Sequence, residues 1–371
     1  MEINSRYDIT VVPEDVKQIL AETIAKYEQD TGKVLQPAHI ERLIINVYAF
    51  REMLVRKGIN EAFRQTFPQT AMGIALDLCG ETLGCYRLKD KAARCVLRFS
   101  VQGEHSSILI PKGTQVAITD DLYFITLNDD VITPLISYVE IEAECNKKGL
   151  IGNEWEIGRI KNLRTSLNTT TTLEVTNIDR PSGGLVEEND DDYRKRILAA
   201  PEAFSSCGSI AAYDYHVRAV SQDIADVNIA TPKGGLVRIT VLTKTGLPDT
   251  RLLNDIKKYV SAEKLRPLCD TVEVIAPTKR DYQIQAELIL LDGYREDIVK
   301  TKARDAMQLY LSDKTKKLGM DIVPSAIISV LRVDGVYDVN LISPTKTIIA
   351  ENEWANCTAL RIEVKEERSN G

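Results

Sequence analysis

A surplus of basic residues, a long apolar run, a paired-cysteine motif and a histidine cluster are all missing from this chain. Its 47 lysines and arginines are outnumbered by 54 aspartates and glutamates, giving a net charge of -7 and a pI near 5.3. Without a basic stripe, a nucleic-acid grip and adhesion to an anionic membrane are not expected. No stretch approaches the roughly 18 consecutive apolar residues that a spanning helix needs. The opening MEINSRYDITVVPEDV lacks a basic segment followed by an apolar one, so a secretory signal is not expected either. Seven cysteines (Cys79, Cys85, Cys95, Cys145, Cys207, Cys269 and Cys357) form no CxxC pair. An odd count without such spacing reads as free thiols in a reducing cytoplasm. His39, His105 and His216 stand far apart with no ligand spacing. A fold could bring His216 beside a cysteine or a serine, but ordinary, partly buried histidines are the simpler reading. There is no Ser/His/Asp motif, nucleophile elbow or HExxH. No catalytic residue, cofactor or metal is expected.

What is present is globular. The chain has 371 residues with 44% hydrophobic and 27% charged content, enough for two to four domains with cores of their own. Residues 1–86 read as helical. Pro13-Glu14-Asp15 opens a first helix whose apolar positions Val16, Ile19, Leu20, Ile24 and Tyr27 keep to one face until Gly32. A second helix from about Pro37 to Phe67 would be about 45 Å long, and a third runs from Thr70 to Leu83. Residues 87–180 change period to short β-rich runs such as CVLRFSV, LYFITL and TSLNTTTTLEVTNI, which reads as an antiparallel β domain. From there helices and strands alternate, and two small α/β domains are expected over 181–280 and 281–371. They look related. SIAAYDYHVRAVSQDIADVNIATP resembles PSAIISVLRVDGVYDVNLISP, and strand 237–242 with helix 249–264 parallels strand 282–291 with helix 295–316, in permuted order. The fold class is therefore α+β and multidomain.

Two constellations invite a chemical reading. The acids Glu187, Glu188, Asp190, Asp191 and Asp192 could suggest a metal-dependent hydrolase. They lack the alternating oxygen ligands and central glycine of a calcium loop, and fit a helix start with i,i+4 pairs Asp191–Lys195 and Asp192–Arg196. The Gly-Gly-Leu steps at 183–185 and 234–236 lack phosphate-loop spacing and read as turns. The notable feature is the second helix. Its row Ile40, Leu43, Ile44, Val47, Phe50, Leu54 and Phe63 would be worth on the order of 10–20 kcal/mol if buried, as an upper bound. A private three-helix bundle could cover part of it. Helices of other chains would cover the rest, which makes these seven residues the expected partner-binding face.

The run NIDRPSGGLVEENDDDYRKRILAAPEAFSSCGSIAAYDYHVRAVSQDIADVNIATPKGGLVRITVL resembles the core of the baseplate J-like proteins. There a Gly-Gly turn precedes an acidic stretch, a Tyr/Leu-Arg-x-Arg step and a Gly-Ser helix start. LRPLCDTVEVIAP, LGMDIVPSAIISVLRVDGVYDVNLISP, ILIPKGTQV and AMGIALDLCGETLGCYRL continue the resemblance, with Cys207 and Cys269 standing where small or polar residues would serve. The resemblance implies a structural wedge subunit of a contractile phage tail baseplate, located in the virion and assembled in the host cytoplasm. It implies as partners a second copy of the chain, a companion wedge protein, sheath initiator and hub proteins, and neighbouring wedges in a sixfold ring. A relay of the contraction trigger would follow. An equivalent subunit of a non-phage injection system or tailocin is the nearest alternative, and a chaperone absent from finished particles a further one.

Overall fold

A computed structural model describes residues 9–167, 172–204, 208–262, 265 and 270–369. It is an α+β multidomain chain with two compact units: Met1–Arg87 with Glu188–Pro201, and Leu88–Glu187 with Glu202–Gly371. Residues 188–201 lie past the expected boundary at 180, yet they pack with the N-terminal helices.

In the helical unit, α1 (Val16–Thr31) starts three residues later than its proline suggests. Asp15 is the N-cap, its carboxylate accepting from the Lys17 N–H at 2.9 Å. Pro13 and Glu14 therefore precede the helix. Gly32 ends it at φ +65°, a conformation that costs glycine little. Helix α2 (Ile40–Arg64) has 25 residues and is about 37 Å long. It lies along α1, with Ile19, Ile45 and Ala49 buried. Helix α3 (Gly73–Glu81) packs instead on α4 (Asp190–Ala199). Among the described residues, the two-by-two arrangement leaves much of α2 exposed.

One buried polar group fixes the entry to this unit. Asn60 of α2 is fully buried, and its side-chain oxygen accepts from the N–H groups of Val11 and Val12 at 3.0 and 2.9 Å. Its amide nitrogen donates to the Val12 carbonyl at 2.8 Å and to the Glu14 carboxylate at 2.9 Å. A buried amide this fully satisfied stabilises one chain path and penalises others. Asn60→Leu should release residues 11–14 at a cost of about 1–3 kcal/mol. The check is amide exchange at Val11 and Val12, and undiminished protection there would count against the clamp.

The larger unit holds three apolar cores. Strands β1 (Ala92–Val101), β2 (Ile108–Ile110), β3 (Gln115–Ala117), β4 (Tyr123–Thr126), β5 (Asp130–Ile132), β6 (Tyr138–Lys148), β7 (Asn162–Leu163) and β8 (Leu173–Asn177) form the β domain. Its six-stranded sheet is antiparallel throughout, in the order β7-β3-β4-β6-β1-β8, and a β2–β5 ribbon completes it. Both layers feed one core, with Leu97, Phe99, Phe124 and Ile141 from the sheet and Ile110 and Ile132 from the ribbon. Period-two burial along β1 is the alternation that the run CVLRFSV announces. Residues 168–171 of the β-branched run lie outside the described residues.

The two α/β domains share one plan in permuted order. The first comprises α5 (Ile210–Arg218), β9 (Ile224–Lys233), β10 (Leu236–Thr243), α6 (Thr250–Val260) and β11 (Thr271–Ile275). The second comprises β12 (Thr278–Leu291), α7 (Glu296–Lys314), α8 (Pro324–Leu331), β13 (Val336–Ser343) and β14 (Glu353–Ser369). Each has a three-stranded sheet. The middle strand, β10 or β12, has one antiparallel neighbour (β9 or β13) and one parallel neighbour (β11 or β14). The middle strand is followed by a long helix, and the antiparallel neighbour is preceded by a short one. The repeated Asp-Val-Asn falls in register: Val227 pairs with Val241 and Val339 with Leu288. In both copies the valine sits against its domain's core and the polar residues flank it.

Candidate assembly surface

The expected partner face is largely a solvent face in this chain. Ile40, Leu43, Ile44, Val47, Phe50 and Leu54 are between 47% and 72% exposed, and Tyr48, Val55 and Ile59 are exposed beside them. The reason lies in the helix itself. At about 100° per residue, Ile40, Ile44, Val47 and Leu54 point away from Ile45, Ala49 and Asn60, which face the first helix and its leader. Helix α2 is thus apolar on two opposite sides, and among the described residues only one of them is covered. Ile40, Leu43, Val47, Phe50 and Leu54 alternate steps of three and four, the spacing that seats side chains against a second helix. An open groove of about 850 Å³ runs along Ile40, Ile44, Val47 and Val55, with Arg51 and Glu52 at its polar flank. Phe63 is placed elsewhere. It lies roughly 140° around the helix from Ile40 and meets Phe67 edge-on at 5.1 Å between ring centres.

In the same unit, α4 carries a buried ionic cluster. Asn189 caps the helix, its side-chain oxygen accepting from the Asp192 N–H at 2.9 Å. Asp190, Asp191 and Asp192 fill the first turn, where the helix dipole favours anions. The acidic run is thus a helix start, but the ion pairs differ in spacing from those expected. Arg194 reaches Asp191 at 2.8 Å and Lys195 reaches Asp192 at 3.0 Å, both at i,i+3. Arg196 turns inward to Glu188 in a two-pronged pair, Nε to Oε1 at 2.7 Å and Nη2 to Oε2 at 2.6 Å. It also donates to the Tyr86 carbonyl at 2.6 Å. The Arg196 side chain is 9% exposed and that of Glu188 1%.

Neighbouring side chains tie α4 to segment 68–87. Arg194 donates to the carbonyls of Pro68 and Ala71 at 2.9 and 2.7 Å. Tyr193 donates to the Cys85 carbonyl at 2.7 Å, and burial pushes its phenol up to about 12. Arg87 stacks on the Tyr193 ring at 4.6 Å and pairs with Asp77 and Asp190. The Gly73 N–H and the Arg87 guanidinium hold the Asp190 carboxyl below the usual carboxylate range. None of these partners lies near α4 in sequence. The signal available was the apolar pair Tyr193 and Ile197 at i,i+4, which demands a buried face, with Arg196 about 80° from its centre.

The remaining polar candidates are dispersed. Among the described residues no three His, Cys, Asp or Glu side chains come together as a metal site, and no helix is long and apolar enough to cross a membrane. His39 and His105 are half-buried. His216 is buried on α5 beside the rings of Tyr215 and Tyr259; its Nδ1 has no hydrogen-bond partner among the described residues, and burial lowers its pKa. Cys79, Cys85, Cys95, Cys145 and Cys357 are free thiols, and burial raises the pKa of Cys95 and Cys145. Cys207 and Cys269 lie outside the described residues.

The fold so described, a β domain followed by two α/β domains, matches known families in that order. Residues 96–184 match the baseplate J-like protein barrel domain, 205–276 the baseplate J-like central domain, and 282–363 the baseplate J-like protein C-terminal domain. The chain belongs to the baseplate J-like family. Baseplate protein J of Escherichia phage P2 is 34% identical over 199 residues, which cover 52% of this chain and 66% of that protein. A chain in the sixfold-symmetrised cryo-EM structure of the anti-feeding prophage baseplate aligns with a TM-score of 0.43 at 12% identity, covering 93% of this chain and 90% of that one.

Proposed function

We propose that this chain is a structural subunit of a contractile phage tail baseplate, and that its work is assembly and mechanical relay, not catalysis. The observation that carries the reading is the exposed apolar row of α2 within a baseplate J-like chain. Six large side chains in water on one helix face are costly, and burying each contributes roughly 1.5–3 kcal/mol. Their three-and-four spacing suits helices as the cover. In this reading a second copy of the chain and a companion wedge protein supply those helices. The two α/β domains meet neighbouring wedges, sheath initiator and hub proteins in a sixfold ring, and rearrangement of these contacts passes the trigger to the sheath. The finished location is the tail baseplate.

The test is Ile44→Asp with Val47→Asp. Both residues are more than 60% exposed, so the chain should fold as before. Two buried charges would then face any partner helix, each needing desolvation. Co-expression with the companion wedge protein, followed by pull-down and size-exclusion chromatography, should show loss of both partners. Assembly at wild-type stoichiometry would refute the proposal.

A further inference from the structure

Two joints within the larger unit have opposite chemistry. Where the barrel domain meets the central domain, the contacts are polar and centre on Arg251 of α6. Its guanidinium donates to the Arg94 carbonyl at 2.9 Å and pairs with Asp179 and, at 3.6 Å, with Glu142. Ser182 donates to Asp249 at 2.7 Å. Water reaches this cluster, since the side chains of Arg251, Asp179 and Glu142 are 27%, 37% and 48% exposed. The apolar clusters of the barrel, central and C-terminal domains are all separate among the described residues, so the joints differ in what lies directly between them. The chain between them is long, residues 185–204 lying between the two matched domains.

The joint between the central and C-terminal domains is built the other way. Only Ala276 and Pro277 separate β11 from β12. Trp354 is buried and covers Gly246 so closely that an added Cβ would lie 3.2 Å from its ring. Asp226 accepts from the Leu318 N–H at 2.9 Å across the same joint. A short tether and a buried indole resist salt, whereas part-exposed charges are screened by it.

We infer that the barrel–central joint is a salt-releasable hinge, and that the central and C-terminal domains move as one body. Removing Arg251 or screening it weakens the first joint only. The inference does not depend on which partners the α2 face binds, and it is tested on the full chain alone. Spin labels on non-natural residues at exposed Lys112 and Lys258 report the first joint, and labels at Lys258 and Arg304 the second. Raising salt from about 0.05 to 0.5 M, or introducing Arg251→Glu, should raise the open population of the first pair about fivefold. The second pair should stay unchanged. The salt arm uses the native joint, so it stands even if Arg251→Glu folds poorly. An unchanged first pair in salt, or equal opening of both pairs, would overturn the inference.

Discussion

Glu188→Ala is expected to destabilise the helical unit by about 3–5 kcal/mol, because it removes the two-pronged carboxylate partner of the Arg196 guanidinium in a site with almost no access to water. The native pair is two-pronged, at 2.6 and 2.7 Å, and nearly inaccessible on both sides. Removing the carboxylate takes away two charge-assisted hydrogen bonds at once, while the bond to the Tyr86 carbonyl and the contact with the Tyr193 ring at 5.5 Å stay. Removing both charges, as Glu188→Leu with Arg196→Met, should cost less than Glu188→Ala alone, since a well-packed apolar pair needs no desolvated ion. Amide exchange along α4 and segment 68–87 reads the effect locally, while β1 amides should be unaffected. A single change within about 0.5 kcal/mol of wild type would mean that the pair is not buried as described.

The second large effect is steric. Gly80 of α3 lies under Tyr193, and a Cβ there would sit 2.0 Å from the Tyr193 hydroxyl and 2.5 Å from the Cys85 carbonyl oxygen. Neither contact is possible for real atoms, and the carbonyl belongs to backbone. Gly80→Ala must therefore separate α3 from α4, with a loss of about 3 kcal/mol or more as overpacking at a rigid site. Tyr193→Phe in the same chain should recover only part of it: the hydroxyl clash goes, but the carbonyl clash and the lost hydrogen bond to Cys85 remain. A double-mutant cycle measures that coupling. Full additivity of the two changes would show that Gly80 and Tyr193 do not touch.

Much of the larger unit was legible because its signals are local. Alternation in CVLRFSV marks β1, Ser209 and Asp249 cap the starts of α5 and α6, and Pro324 stands at the first position of α8. Even the permuted repeat was visible, since Asp-Val-Asn lies on the antiparallel neighbour of the middle strand in both sheets, with its valine against the core. The apolar row of α2 was legible too, being a matter of spacing on one helix.

What spacing could not decide was which side of α2 is covered, and by what. Ile45 and Ala49 win the contact with α1 because Asn60 pins residues 11–14 against the same face, a bond 48 residues long in sequence. Phe63 belongs by residue type to the row and by angle to another side. The acids at 187–192 were readable as a helix start, yet nothing local told Arg196 to choose buried Glu188, or Tyr193 to reach Cys85, 108 residues away. Element types and the order of the domains were readable from periodicity and composition, which are local properties of the chain. Which charges are buried depends on segments 68–87 and 188–201, brought together from opposite ends of the β domain, and which apolar residues of α2 stay in water depends on α1 and residues 11–14; neither contact is encoded in local spacing.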